Sequence, residues 1–304
     1  MYLTLKELET KQDIQSYFEQ INERVVINCK KSIFSIFGTR NWLLKSDIES
    51  FLKLSNYDII SNKNDRIIAK KRVSKSKEYT VSIIIPARNE ERNIPHIIKS
   101  FPKFGKKQEF IFVEGGSTDN TWNEIKKTKA KAYKQRGKGK ADAVRLGLSK
   151  ATGDILMIYD ADRTVDSKEL KKFYTALSSG LGEFINGSRL VYPMEKDAMR
   201  TLNKIGNILF SYLFTWILGQ NFKDTLCGTK AFFKKDYLKF KKFKDDPFGD
   251  FELIFGAIRE NLKVVEIPVH YKERVYGVTN IKRIYHGLLL FKMVWRGFKE
   301  FKLS

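Results

Sequence analysis

From Val81 onward, short apolar runs alternate with turns and with segments whose apolar residues recur every three to four positions. The runs Val81–Ile85, Glu109–Glu114, Asp154–Tyr159 and Glu183–Asn186 predict strands. The stretches near Glu91–Phe101, Asp119–Ala130, Lys140–Lys150 and Ser167–Leu177 predict the helices between them. Such alternation predicts an α/β fold, a mostly parallel sheet with helices on both faces. Ligands of these sheets sit beyond the carboxyl ends of the strands. The residues expected there are polar, small or acidic: Pro86-Ala87-Arg88-Asn89-Glu90, Glu114-Gly115-Gly116-Ser117-Thr118-Asp119 and Asp160-Ala161-Asp162. Paired hard oxygens such as Asp160 and Asp162 suit Mg²⁺ or Mn²⁺ shared with a substrate diphosphate.

Upstream the texture differs. Ile59 to Lys77 ends in a basic, serine-containing tract without apolar periodicity and reads as a linker. The expected organisation is a small α+β appendage over 1–72, a linker over 73–79 and the α/β domain over 80–304.

Charge narrows the partners. With 57 Lys+Arg against 35 Asp+Glu the formal charge is +22, which favours polyanions: nucleic acid, an anionic bilayer or phosphate-bearing substrates. No zinc-finger spacing, RNP-like aromatic strand or helix-turn-helix signature accompanies it, so nucleic acid ranks low. Cys29 and Cys227 lie far apart without a CxxC or Cys/His pattern, which predicts neither a zinc site nor a disulfide and fits a reduced, cytoplasmic setting. Met1 to Lys11 alternates charge with isolated leucines, unlike a signal peptide. The most apolar stretch, Ile208 to Leu218, has only about half of the residues a spanning helix needs, so no transmembrane helix is expected.

Taken in order, PARNE, VEGGSTDNT, GKGKADAVRLGL and YDAD make the chain resemble the family 2 glycosyltransferases of GT-A fold. INGSRLV, Arg200, DTLCGTKAF and the loop Arg274-x-Tyr-Gly-x-Thr-Asn are similar to dolichyl-phosphate mannose synthases and bacterial polyprenyl-phosphate glycosyltransferases. The resemblance covers roughly 79 to 302. It implies nucleotide-sugar contacts from Pro86, Ala87, Arg88, Glu90, Glu114, Lys140, Asp160, Ala161 and Arg274, with Asp160 and Asp162 on the metal. Where the family has an Asp-Asp pair near the base, this chain has Glu114-Gly115. Arg189 and Arg200 match arginines facing the donor diphosphate or the acceptor phosphate, a role that suits bidentate guanidinium groups. Asp224 and Lys230, flanking Cys227-Gly228, read as an ion pair or phosphate contact in the same cleft, which makes Lys230 a candidate for the acceptor phosphate.

Asp250 and Glu252 open a helical segment, where a carboxylate either caps the helix or acts as general base. A phosphate acceptor needs no base, so capping and positioning is the favoured reading. The Arg274–Asn280 loop, with Gly277 as a hinge, closes over the diphosphate in relatives. A basic residue usually follows the Ser or Thr there; this chain has Asn280 and Ile281, then Lys282 and Arg283.

Residues from about Asp13 to Lys70, with RVVINC, Asn41-Trp42-Leu43 and DIESFLKLSNYDIISNKNDRIIAK, resemble the final third of a class I methyltransferase, with its closing helix and paired strands. The glycine-rich loop for S-adenosylmethionine is absent, so no methyltransferase activity is expected.

Two amphipathic stripes complete the picture. Leu202, Ile205, Leu209, Tyr212, Leu213, Trp216 and Ile217, widened by Phe210 and Phe214, recur at helical spacing, for which core packing is the commoner cause. At the C-terminus Ile284, Leu288, Phe291, Val294, Trp295, Phe298 and Phe301 alternate with Lys292, Arg296, Lys299 and Lys302, a pattern suited both to a bilayer interface and to core packing with a basic back. The leading expectation is metal-assisted, inverting transfer of a sugar from a nucleotide donor to a polyprenyl phosphate, by an enzyme peripheral on the cytosolic face of the membrane. Transfer to a glycan or protein hydroxyl is the alternative. A sugar-phosphate nucleotidyltransferase and a noncatalytic basic binding module rank below both.

Overall fold

The computed structural model describes residues 2–4, 7–8, 14–21, 24–29, 45–55, 57–63, 66–71, 77–192, 201–240, 246, 248–276 and 283–303. Its larger sheet has seven strands: β5 (Thr80–Ala87), β6 (Lys107–Glu114), β7 (Lys131–Lys134), β8 (Ile155–Ile158), β9 (Phe184–Ser188), β10 (Lys230–Phe233) and β11 (Val264–Pro268). They lie in the order β11-β9-β10-β8-β5-β6-β7. All pairings are parallel except those of β10, which runs antiparallel to β8 and β9. The strands β7 and β10 were not legible as runs, since lysines open both and close β7, leaving only two or three apolar residues in each. Pro86, placed after its strand by the sequence, lies within β5 opposite Val113.

Side chains of a strand point alternately to its two faces, and here each face feeds its own core. Ile84, Ile111, Val113, Leu156 and Ile158 pack with the helices Lys140–Lys150, Thr201–Leu218, Phe251–Arg259 and Arg283–Phe301. Val81, Ile83, Ile85, Phe112, Ile155 and Met157 pack with Ile94–Ser100, Thr121–Lys126 and Leu170–Ser178. Burial on both faces explains the nearly continuous apolar runs. It is the GT-A arrangement, and it places the loops after β5, β6 and β8 at one edge.

The N-terminal strands β1 (Tyr2–Thr4), β2 (Val25–Asn28), β3 (Tyr57–Lys63) and β4 (Arg66–Lys71) form a second sheet, ordered β1-β2-β4-β3. Much of the expected linker is therefore strand: β3 and β4 pair antiparallel through Lys71. Lysines dominate this stretch as a sequence, but Tyr57, Ile67 and Ala69 are buried and hold the hairpin on the helices Ile14–Gln20 and Lys45–Leu54. Farther on, Tyr79 packs edge-on against Phe233 at 5.2 Å, and its N–H donates to the Tyr174 hydroxyl (3.1 Å).

The amphipathic stripes divide. Along Thr201–Leu218, Phe210, Phe214 and Ile217 are buried, whereas Leu209, Tyr212 and Trp216 face solvent, with Trp216 60% exposed. On Arg283–Phe301, Met293 is buried and Val294, Phe298 and Phe301 pack against the core, leaving Leu288, Phe291 and Trp295 outside beside Lys292 and Lys299. The two helices join through Phe210 on Phe291 (5.1 Å) and Trp216 on Phe298 (5.8 Å). No helix among the described residues is long and apolar enough to cross a membrane.

Candidate functional site

The fully buried β8 delivers Asp160-Ala161-Asp162 to the sheet edge. Asp162 is fixed by its own turn: the Thr164 N–H and hydroxyl donate to Oδ1 at 3.1 and 2.9 Å. Asp160 Oδ1 meets Lys140 Nζ at 2.7 Å. Lys140 opens its helix directly after Gly139, whose φ of +87° is left-handed and suits glycine. Burial works against a charge on Asp160, but Lys140, with Lys230 and Arg189 farther off, holds its carboxyl below the usual range. Burial likewise opposes a charge on Lys140, yet Asp160 and Asp250 keep it protonated well above the ordinary lysine range.

Arg274, from the segment after β11, ties two loops together. Its Nη2 donates to Asp162 Oδ2 at 2.7 Å and its Nη1 to Glu90 Oε1 at 3.0 Å. Burial pushes the Glu90 carboxyl up, against the hydrogen bonds from Asn93 and Arg274. The loops after β5 and β6 are stitched in turn: Thr118 N–H donates to Asn89 Oδ1 (2.9 Å), Glu90 N–H to Thr121 Oγ1 (2.8 Å) and Asn120 N–H to Glu91 Oε2 (2.9 Å). Glu114 is buried and accepts the Ser117 N–H, so its carboxylate shapes the Gly115-Gly116 turn. Pro86 is half-buried, Ala87 and Ala161 are buried, and Arg88 is exposed.

Gly228 is the close neighbour of this centre. A Cβ there would lie 2.1 Å from Asp160 Oδ2 and 2.5 Å from Lys140 Nζ. Gly228→Ala is therefore expected to turn Asp160 away from Lys140 and to lower the transfer rate on the order of a hundredfold. Steady-state kinetics on a variant with an unchanged melting curve tests this, and a rate within threefold of the parent would refute it.

Behind the edge lie three buried or half-buried ion pairs. Arg189 Nε and Nη2 grip Asp224 Oδ2 and Oδ1 at 2.7 and 2.8 Å, and Asp224 also accepts from the Arg189 N–H, Asn207 Nδ2 and the Leu226 N–H. Lys230 Nζ, with no exposed surface, bonds Asp250 Oδ1 at 2.6 Å and the Cys227 carbonyl. Arg145 Nε bonds Glu252 Oε2 at 2.8 Å.

These contacts correct several expectations. Asp224 and Lys230 do not pair with each other, because each has a partner at shorter reach across the fold. Asp250 does not cap its helix; Lys230 takes its carboxylate, and Asp246 caps instead, accepting the Glu252 and Phe248 N–H groups at 2.9 Å. An aspartate just ahead of Pro247 and an apolar helical run was the available signal. Asn207, Ser211 and Thr215 were also missed. Four residues apart, they bond Asp224 Oδ1, the Lys223 carbonyl and the Phe222 carbonyl, respectively, and lock the helix to the segment carrying Asp224. Arg200 and Gly277 to Lys282 lie outside the described residues, and only the backbone of Arg283 is described.

Among the described residues no set of three or more Asp, Glu, His or Cys side chains gathers that could hold a metal by itself. The two carboxylates of Asp160 and Asp162 still fit a hard cation whose remaining ligands are phosphate oxygens and water, the usual habit of Mg²⁺.

A family model described as Glycosyl transferase family 2 matches residues 82–240. Glycosyltransferase AglJ of Haloferax volcanii is 29% identical over 219 residues, 71% of this chain and 71% of that protein. A dolichyl-phosphate hexose transferase of the same organism is 24% identical over 71% of this chain and 94% of its own length. Among solved structures, glucosyl-3-phosphoglycerate synthase of Mycobacterium tuberculosis with Mn²⁺, UDP-glucose and phosphoglyceric acid superposes with a TM-score of 0.55. It is 18% identical, covering 73% of this chain and 79% of that one, a likeness of fold.

Proposed function

From its membership of glycosyl transferase family 2, to which this chain belongs, we propose that this glycosyltransferase moves a sugar from a nucleotide donor to a polyprenyl phosphate at the cytosolic face of a membrane, with inversion. The observation that carries the acceptor is the state of the two candidate bases. Asp250 is held by Lys230 and Glu252 by Arg145, so neither is poised to deprotonate a hydroxyl. A phosphate monoester is already anionic near neutral pH and attacks without a base. The similarity to a dolichyl-phosphate hexose transferase agrees with this reading.

Asp160 and Asp162 would hold Mg²⁺ or Mn²⁺, and the GT-A neighbour solved with Mn²⁺ and UDP-glucose supports that choice. When bound, such an ion neutralises charge on the departing diphosphate. In the protein as described, Lys140 and Arg274 neutralise the same carboxylates. Arg274 exchanges Asp162 for the incoming diphosphate, carrying its loop over the donor. Glu90 keeps the guanidinium oriented, and Glu114 with the Gly115-Gly116 turn faces the base. Arg189, clamped by Asp224 and lying over the Tyr271 ring, is the guanidinium that would meet a phosphate.

Screening nucleotide sugars against undecaprenyl and dolichyl phosphate with Mg²⁺ and Mn²⁺ tests the acceptor. Transfer with at least one pair is expected; transfer only to hydroxyl acceptors would overturn it.

The exposed ridge of Leu209, Tyr212 and Trp216 with Leu288, Phe291 and Trp295, flanked by Lys292 and Lys299, is the membrane contact. Trp216→Ala and Trp295→Ala are each expected to weaken binding to phosphatidylserine-containing vesicles about tenfold. Sedimentation with vesicles measures this, and binding unchanged in the double variant would remove the ridge from the proposal.

A further inference from the structure

We infer that the N-terminal module anchors the segment that leaves β9 for the active site, with Tyr192 as a positioning residue for Arg189; this rests on the phosphate-facing role given to Arg189 above. The core of the module is incomplete without two side chains from the catalytic domain. Leu3, Phe18, Val25, Ile27, Phe51, Leu52, Ile67 and their neighbours cluster with Val191 and Tyr192, both buried. Those two residues directly follow the Arg189 segment.

Tyr192 is held on both sides. Phe51, from the helix Lys45–Leu54, meets its ring at 5.8 Å, and the His270 imidazole stacks on it at 3.9 Å with an interplanar angle of 11°. Glu169 Oε1 bonds His270 Nδ1 at 2.7 Å. Lys172 pairs with Glu169 at 2.9 Å and places its ammonium 5.6 Å from the centre of the Tyr192 ring. The residue after His270 closes the circuit, because the Arg189 guanidinium lies over the Tyr271 ring at 5.1 Å. One step farther back, the Val269 N–H donates to the Ser188 carbonyl at 2.9 Å.

Arg189 therefore stands between two fixed points. Asp224 grips its head, and the stack of Phe51, Tyr192 and His270 fixes the backbone three residues on. A loop residue without such packing would sample many positions, and a guanidinium displaced by about an ångström loses much of its value to a reacting phosphate. The module thus completes a wall of the catalytic domain by lending its core to one loop. Arg274 follows Tyr271 by three residues on the same segment.

The test compares Tyr192→Ala, Tyr192→Phe and Phe51→Ala in the full-length chain. Tyr192→Ala is expected to lower kcat for sugar transfer at least about tenfold while the donor KM stays within about twofold, and Tyr192→Phe to restore kcat. Loss of kcat in Tyr192→Ala that Tyr192→Phe does not restore, or kcat within twofold of the parent, overturns the inference. Amide hydrogen exchange gives a readout that needs neither acceptor nor turnover. In Phe51→Ala, exchange over 188–192 and 269–274 is expected to rise about tenfold while the helix Lys140–Lys150 is unchanged. Unchanged exchange at 188–192, or an equal rise throughout the domain, also overturns it. A local rise in a protein that glycosylates no polyprenyl phosphate would sink the acceptor reading and leave the anchor standing.

Discussion

Asp162→Asn is expected to lower the transfer rate on the order of a thousandfold while leaving the fold intact. The substitution preserves an oxygen for the Thr164 N–H and hydroxyl, which pin the turn at 3.1 and 2.9 Å. It removes the negative charge that Arg274 neutralises in the described state and that a divalent ion would use with the donor bound. Stabilisation of a leaving diphosphate by a bound cation is worth several kcal/mol, and about 4 kcal/mol corresponds to three powers of ten in rate. Single-turnover transfer and titration of Mn²⁺ in the presence of nucleotide measure the two halves of the claim. A variant that keeps a tenth of the parental rate would refute the role of Asp162 at the donor diphosphate.

Asp224→Ala is the largest expected change in stability. The carboxylate has no exposed surface and satisfies Arg189 Nε and Nη2, the Arg189 and Leu226 N–H groups and Asn207 Nδ2. Removing it leaves a nearly buried guanidinium without its counter-charge, a loss of about 3–5 kcal/mol. Burial works to raise the Asp224 carboxyl, but Arg189 and Asn207 outweigh it and hold the group below the ordinary aspartate range. Its folded-state value is thus depressed below the unfolded one, so its stabilisation is present above the unfolded pKa and fades as pH falls through the folded one. Urea unfolding at pH 7 should show the full difference between Asp224→Ala and parent, and the difference should shrink in acid. A loss under 1 kcal/mol at pH 7 would mean that the pair contributes little.

The strands around the site were legible because burial on both faces writes itself as local apolar runs, as in Val81–Ile85, and because the acidic loops come directly after them. The strands β7 and β10 were not, since Lys131, Lys134 and Lys230 leave each with too short an apolar run, whereas the equally short β8 is apolar throughout. The helix Thr201–Leu218 shows a finer limit. Its sequence displays an apolar stripe, yet which apolar residues turn inward depends on what lies opposite: Phe210 and Phe214 found the core, and Leu209, Tyr212 and Trp216 did not.

Sequence alone determined that Asp160 and Asp162 emerge together at a strand end, because a strand and its following turn are local. It also determined the order of the loops that share that edge. The tertiary structure decided the partners: Arg274 is 112 residues from Asp162, Arg145 is 107 from Glu252 and Arg189 is 35 from Asp224. Charge type is visible along a chain, but the choice among 57 basic and 35 acidic residues is made by distance and burial. Those exist only once Val191 and Tyr192 have joined the N-terminal core and β10 has turned back between β8 and β9.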